Sequence, residues 1–223
     1  MNNQARRKAL IAIGMFITFL LWTIGVCLID VHPIGPEGTA VGFATLNQCV
    51  HNFTGVHMVL YVITDWLGLV PICFAIGFAI LGLCQWIKRR KIENVDFSLW
   101  ILGCFYLVII AIYLFFEKNI INFRPILIGG NLEASYPSST TLLVICVMYT
   151  AILQLQNRIQ NKLLNRWTSR IVTAFIAFMV IGRLLSGVHW VSDIIGGVLL
   201  SLCLIQAYKA AILAGTMNEK WNT

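Results

Sequence analysis

The chain has 223 residues, 59% of them hydrophobic and 11% charged, a balance outside that of soluble domains and typical of a protein dissolved in lipid. A formal net charge of +7 would suggest nucleic acid in a soluble protein, but in a membrane protein Lys and Arg mark the cytoplasmic loops, so no nucleic-acid partner is expected. At about 20 apolar residues per spanning helix, the length accommodates one all-α integral membrane domain over 1–223, with six transmembrane helices and no separate soluble unit.

The first apolar run, 9–29, follows Arg6, Arg7 and Lys8. It is too long for a signal-peptide core and lacks a small-residue cleavage site, so it is expected to remain as a span. Residues 30–55 are the one polar insertion. The second run, 56–87, is interrupted by Asp65 and Pro71 and is long enough to tilt or to begin above the membrane. It ends at the basic cluster 88–91. Further spans are expected at 97–116, 139–155, 171–186 and 190–213, of which the fourth and fifth are short.

Basic residues give an independent test of this division. Thirteen of the 16 fall in the amino-terminal segment, the 88–91 cluster, the 155–170 loop (Arg158, Lys162, Arg166, Arg170) and the tail (Lys209, Lys220). The other three, Lys118, Arg124 and Arg183, fall on the opposite face. Both termini are therefore expected in the cytoplasm. Trp86, Trp100 and Trp167 are placed at the inner interface and Trp190 at the outer one. The seven cysteines lack CxxC spacing and mostly lie in apolar runs as small hydrophobes. Cys27 and Cys49 both fall near the outer face, which leaves one disulfide open.

Basic residues on the outward face oppose the topology rule and need a reason, which a bound anion supplies. His189 and Asp193 are four residues apart at the start of the sixth span, on one helical face. A carboxylate so placed can hold one imidazole nitrogen as a donor and leave the other free as a nucleophile. An acid one turn into the membrane is itself a functional signal; the alternative is a buried pair that ties helices together. Arg124-Pro125 forms a second cluster. The third is Tyr136-Pro137-Ser138-Ser139-Thr140-Thr141, a helix start whose backbone N–H groups suit phosphate oxygens, or an ordinary cap.

Together these clusters resemble the type 2 phosphatidic acid phosphatase superfamily, whose signature is Lys-x6-Arg-Pro, Pro-Ser-Gly-His and Ser-Arg-x5-His-x3-Asp. Arg183, His189 and Asp193 reproduce the third spacing, with Gly182 in place of Ser. The resemblance implies a phosphohistidine on His189 oriented by Asp193, with no metal or cofactor. Arg124, Arg183, Ser138, Ser139 and Lys118 would hold the phosphoryl oxygens. Two positions depart: Thr140 stands where the family has the His that protonates the leaving group, and Glu117 stands at the motif-one Lys, with Lys118 one place late. Glu117 as a replacement acid is disfavoured, because neighbouring arginines lower a carboxyl pKa; His32, His51 and His57 are other potential donors. The reading is a lipid phosphate or diphosphate phosphatase favouring a diphosphate-type leaving group, with membrane lipids as its only other partners. It is expected in a bacterial plasma membrane with its site outward. The alternative is an impaired relative that binds anionic lipid head groups as a transporter or scaffold.

Overall fold

The computed structural model describes the backbone of residues 3–221 and the side chains of residues 3–215. Lys220, part of the basic tail, lies outside the described side chains. The chain folds into helices α1 (Asn3–Leu28), α2 (Ala44–Thr54), α3 (Met58–Leu67), α4 (Leu69–Arg89), α5 (Phe97–Lys118), α6 (Ser139–Gln156), α7 (Lys162–Leu185) and α8 (Val191–Trp221). With α3 and α4 counted as one segment, six are long and apolar enough to cross a membrane. The protein is an all-α integral membrane protein, and its many exposed Leu, Ile, Val and Phe side chains face the lipid. Alternating spans place the amino terminus and the 90–96 and 157–161 connections at one end, here the basic end. The connections 29–57, 119–138 and 186–190 lie at the other.

α6 is the central helix. In its membrane window 61% of residues are buried, against 11–33% in the other spans, because α4, α5, α7 and α8 all pack on it. A helix ringed by protein needs no lipid-facing apolar surface, which accounts for its short, less hydrophobic sequence and for its buried Thr150 and Gln154. The long second span bends at Gly68, three residues before Pro71, which has no N–H to offer the Leu67 carbonyl. The bend lets α3 pack on α7 and α4 pack on α5 and α6.

The structure departs from the sequence reading at several points. The polar insertion contains α2, an amphipathic helix rather than only loop. α7 begins at Lys162, nine residues before the expected start. Asn161 caps it, accepting from the N–H groups of Leu163 and Leu164 at 3.0 and 3.1 Å. Lys162, Arg166 and Arg170, spaced by four, therefore ride on its first turns instead of a loop. Trp190 is no interfacial anchor: it is 3% exposed, and its indole donates to the Phe123 carbonyl at 2.8 Å. Trp86, Trp100 and Trp167 are exposed near the basic end. Cys27 and Cys49 are free thiols.

Candidate active site

The site is assembled at the end opposite the basic one, where α7 turns into α8. Trp190 is the residue before α8 and has no side-chain oxygen to cap it. Asp193, three residues on, accepts from the Trp190 N–H through Oδ2 at 2.9 Å, half of a capping box. The missing acceptor comes from α2. Asn47, fully buried, accepts from the Ser192 N–H at 3.1 Å and donates to Ser192 Oγ at 2.9 Å and to the Gly42 carbonyl at 2.7 Å. The head of α8 is thus fixed by a residue 145 positions away in sequence.

His189 lies just before this head, buried, with Nδ1 3.8 Å from Asp193 Oδ2. That is too long for a hydrogen bond. The other carboxylate oxygen accepts from buried Asn122 at 3.3 Å. Both imidazole nitrogens are buried without a hydrogen-bond partner. Burial first, then the charges of Arg124 and Arg183, hold the His189 pKa well below the usual histidine value, with the Ser135 carbonyl acting in the opposite sense. The imidazole is therefore neutral at neutral pH, the form in which a ring nitrogen can attack.

Two arginines stand beside it. Arg183, in the last turn of α7, is 1% exposed. Its guanidinium lies over the Tyr61 ring at 5.1 Å and 3.7 Å from Asp65 Oδ1. α3, which carries Tyr61 and Asp65, reaches α7 this closely because position 182 is glycine: a Cβ there would lie 2.8 Å from Thr64 Cγ2. This contact leaves no room for a side chain at position 182. Arg124 comes from the 119–138 segment, a small hairpin pinned by bridges Phe123↔Ala134 and Ile128↔Asn131. Its Nε is 3.0 Å from Glu133 Oε2. Arg124 Nη1 and Arg183 Nε and Nη1 are buried without a hydrogen-bond partner. In low dielectric such donors favour an anion.

Ser138 is fully buried at the head of α6; its Oγ accepts from Thr141 N at 3.4 Å and its N–H donates to the Asp193 carbonyl at 3.1 Å. The α6 head can lie this close to α8 because Gly196 faces the Tyr136 ring, 2.6 Å from where a Cβ would be.

The remaining expected residues lie elsewhere. Thr140 and Ser139 line a cavity of ≈ 300 Å³ with Ile72, Ile109, Ile110 and Tyr113, on the α4 and α5 side of α6. Glu117, exposed, borders a cavity of ≈ 20 Å³ beside Ser135, Tyr136, Pro137 and Ser139, room for about one water. Lys118 is exposed in the last turn of α5. Of the loop histidines, His32 pairs with Asp30 at 3.1 Å, and His57 Nε2 meets the Thr54 carbonyl at 2.8 Å. His51 packs its ring 5.4 Å from that of Trp190, and its burial lowers its pKa. Asn47, Asn122, Asp65, Glu133 and Tyr61 were not singled out from sequence as parts of the site. Only Asp65 carried a signal, an acid interrupting an apolar run. Among the described residues no group of three His, Cys, Asp or Glu side chains could hold a metal ion.

Compared with known proteins, residues 115–215 match the model of the PAP2 superfamily, a stretch that includes Arg124, Ser138, Arg183, His189 and Asp193. Among solved structures, the chain is similar to the first transmembrane PAP2-type phosphatidylglycerolphosphate phosphatase from Bacillus subtilis, with a TM-score of 0.53 and 17% identity over 92% of this chain and 96% of that one. At that identity the likeness is one of fold. No curated protein matches the chain.

Proposed function

We propose that the chain is a PAP2-type membrane phosphatase that removes phosphate from a lipid phosphate or diphosphate through a phosphohistidine. The observation that carries this reading is the pair of arginines, buried Arg183 and half-buried Arg124, each with buried unpartnered N–H donors, beside a neutral His189 backed by Asp193. The arginines and Ser138 hold the phosphoryl oxygens, where fixed donors in a water-poor site stabilise charge best. His189 Nε2 attacks phosphorus; the N–P bond forms as the bond to the leaving oxygen breaks, and Asp193 stabilises the cationic ring from the Nδ1 side. Water then attacks phosphorus, the N–P bond breaks, and inorganic phosphate leaves with the neutral imidazole restored.

A leaving lipid alkoxide needs a proton, and at Thr140 no imidazole is present to give one. A diphosphate instead expels a lipid phosphate, whose second pKa is about 6, so a diphosphate of the polyprenyl type is the preferred substrate. The division of basic residues supports a single domain with both termini in the cytoplasm and the site on the outer face; a bacterial plasma membrane suits that arrangement.

The test is release of inorganic phosphate by purified protein from a panel of lipid mono- and diphosphates, with His189→Ala as the control. Thr140 favours one other reading, a protein that binds anionic head groups without turning them over. Lipid-phosphate binding with no phosphate release from any substrate would select that reading.

A further inference from the structure

We propose that Glu133 and Asp65 are exchangeable counter-anions of the arginine pair, released when a phosphoryl group enters and returning as product phosphate leaves. They would thereby set how tightly the site holds phosphate. This inference rests on the functional reading above and concerns two residues that none of the three sequence clusters contains.

The pairs are unequal in a way that structural ion pairs need not be. The Arg124 and Arg183 side chains are 12% and 2% exposed, whereas those of Glu133 and Asp65 are 41% and 60% exposed. Glu133, in a connection outside the spans, has an alternative state in water at small cost; Asp65, about two turns into the second span, lies on the protein surface and can turn toward the outer end of α3, whereas the Arg183 guanidinium is enclosed. When a dianion arrives, the carboxylates are therefore the partners that move. Each arginine also keeps donors that its carboxylate does not satisfy, so both carboxylates leave binding capacity unused.

The backbone keeps both acids within reach after they let go. Glu133 lies opposite Arg124 in the hairpin, accepting its N–H at 3.0 Å. The hairpin tip is Gly129-Gly130, both at positive φ, a conformation glycine adopts without strain. Asp65 is one turn beyond Tyr61 on α3, so the carboxylate and the ring meet Arg183 from one helical face. A phosphoryl group between the arginines brings a charge of about −1.5 to −2 into a cluster that already holds two carboxylates. It therefore meets their repulsion until they turn outward. Their return supplies the competing charge that loosens phosphate after turnover. The consequence is a site that trades affinity for release, and neutralising the carboxylates should reverse the trade.

The experiment is a titration of inorganic phosphate, by calorimetry or ³¹P NMR, into the purified full chain and into Glu133→Gln, Asp65→Asn and the double variant, with Glu133→Asp as the charge-conserving control. Thermal melts check that each is folded. Each neutral variant should bind phosphate about ten-fold tighter, the order expected on removing one like charge at a partly solvated site. The double variant should bind tighter still, and Glu133→Asp close to wild type. In turnover the neutral variants should show lower KM and stronger inhibition by phosphate. Unchanged or weaker phosphate binding in folded Glu133→Gln and Asp65→Asn, with wild type binding normally, overturns this inference alone. Absence of phosphate binding in wild type and every variant would remove the functional reading and this inference with it.

Discussion

Two polar clusters, one at each end of the bundle, differ in how completely their members are paired. At the basic end, Asp96 accepts from Gln85 at 2.7 Å and from Arg89 at 2.9 Å, with Arg158 at 3.6 Å. Gln154 donates to Tyr208 at 2.7 Å and to the Ser98 carbonyl at 3.0 Å, and accepts from Arg158. Each member of that network has a partner; Asn165 Oδ1 and Gln206 Oε1, which are buried without one, lie outside it. At the other end Arg124, Arg183, His189 and Thr141 keep buried polar atoms that no protein group satisfies. A satisfied network ties helices together, whereas an unsatisfied one holds interaction energy in reserve for something else. The difference separates a strut from a site more sharply than the count of charges does.

The largest test of that contrast is at the unsatisfied end. His189→Ala should lower phosphate release on the order of 10³-fold or more, since residues acting as a nucleophilic unit fail together, while the arginines keep lipid-phosphate binding. Arg183→Ala should weaken both binding and turnover, with about 10²- to 10³-fold lost from turnover. Initial-rate assays alongside vesicle binding measure both. A His189→Ala protein with more than a few per cent of wild-type activity would remove covalent catalysis by that residue.

A smaller, selective effect is expected at Thr140. A positioned acid contributes about 10²- to 10⁴-fold to departure of a basic alkoxide, so wild type should prefer a lipid diphosphate to phosphatidic acid. Thr140→His should raise monophosphate turnover while leaving the diphosphate rate near wild type, provided the imidazole turns away from the Ile72, Ile109 and Ile110 cavity. A paired assay of both substrates decides it. If wild type handles the monophosphate equally well, another group gives the proton, and Glu117 and His51 are the next to mutate.

Much of this candidate site was legible in the sequence because its residues are local: Arg183, His189 and Asp193 lie within eleven consecutive residues, although His189 precedes α8 and meets Asp193 across the helix cap rather than along one helical face. The six spans followed from hydropathy for the same reason. What escaped reading depends on the packing of distant segments. Asn47 caps a helix 145 residues away, Asn122 reaches Asp193 from a hairpin, and Trp190 turns inward because the Phe123 carbonyl takes its N–H. The early start of α7 was missed because its first turns are polar and carry no apolar signal, although the four-residue spacing of Lys162, Arg166 and Arg170 was present.

The supports of the site should show intermediate effects. Asn47→Ala removes the acceptor for Ser192 N–H and two donated bonds, which loosens the head of α8. Asn122→Ala leaves Asp193 Oδ1 without its donor. Each should lower kcat about ten-fold with KM little changed, the pattern of a misoriented group rather than lost substrate contact. If KM rises instead with kcat intact, these residues touch substrate.

The pH profile should move with the charges around His189. The ring must be neutral to attack, and burial together with Arg124 and Arg183 lowers its pKa, so the acid limb of kcat/KM lies below the ordinary histidine value of about 6.5. For a base, a lowered pKa shifts that limb to lower pH, and removing a neighbouring cation shifts it back. Arg183→Gln should therefore raise the limb toward 6.5 in whatever activity remains. A limb that stays in place would mean that Arg183 does not act electrostatically on the imidazole.

The smallest effect on turnover is expected at the satisfied end, where Gln154→Leu gives the sharpest control. Gln154 is 2% exposed, and its amide joins α6 to the Tyr208 hydroxyl, the Ser98 carbonyl and Arg158. Leucine of similar size removes those bonds and leaves the buried Tyr208 hydroxyl without its donor, while Arg158 keeps the backbone carbonyl of residue 154 and Asp96. A buried polar group so stranded costs about 1–3 kcal/mol, and the melting temperature should fall accordingly. None of those groups approaches His189 or either site arginine, since α6 carries Gln154 four turns from Ser138. Turnover per folded molecule should therefore stay within about two-fold of wild type, the scatter expected for a substitution with no contact to the chemistry. Melting curves and kcat measured on the same preparations compare the two ends directly. If Gln154→Leu lowered kcat as far as Asn47→Ala does, while melting like wild type, the polar network at the basic end would be coupled to the site, and the distinction between strut and site would fail.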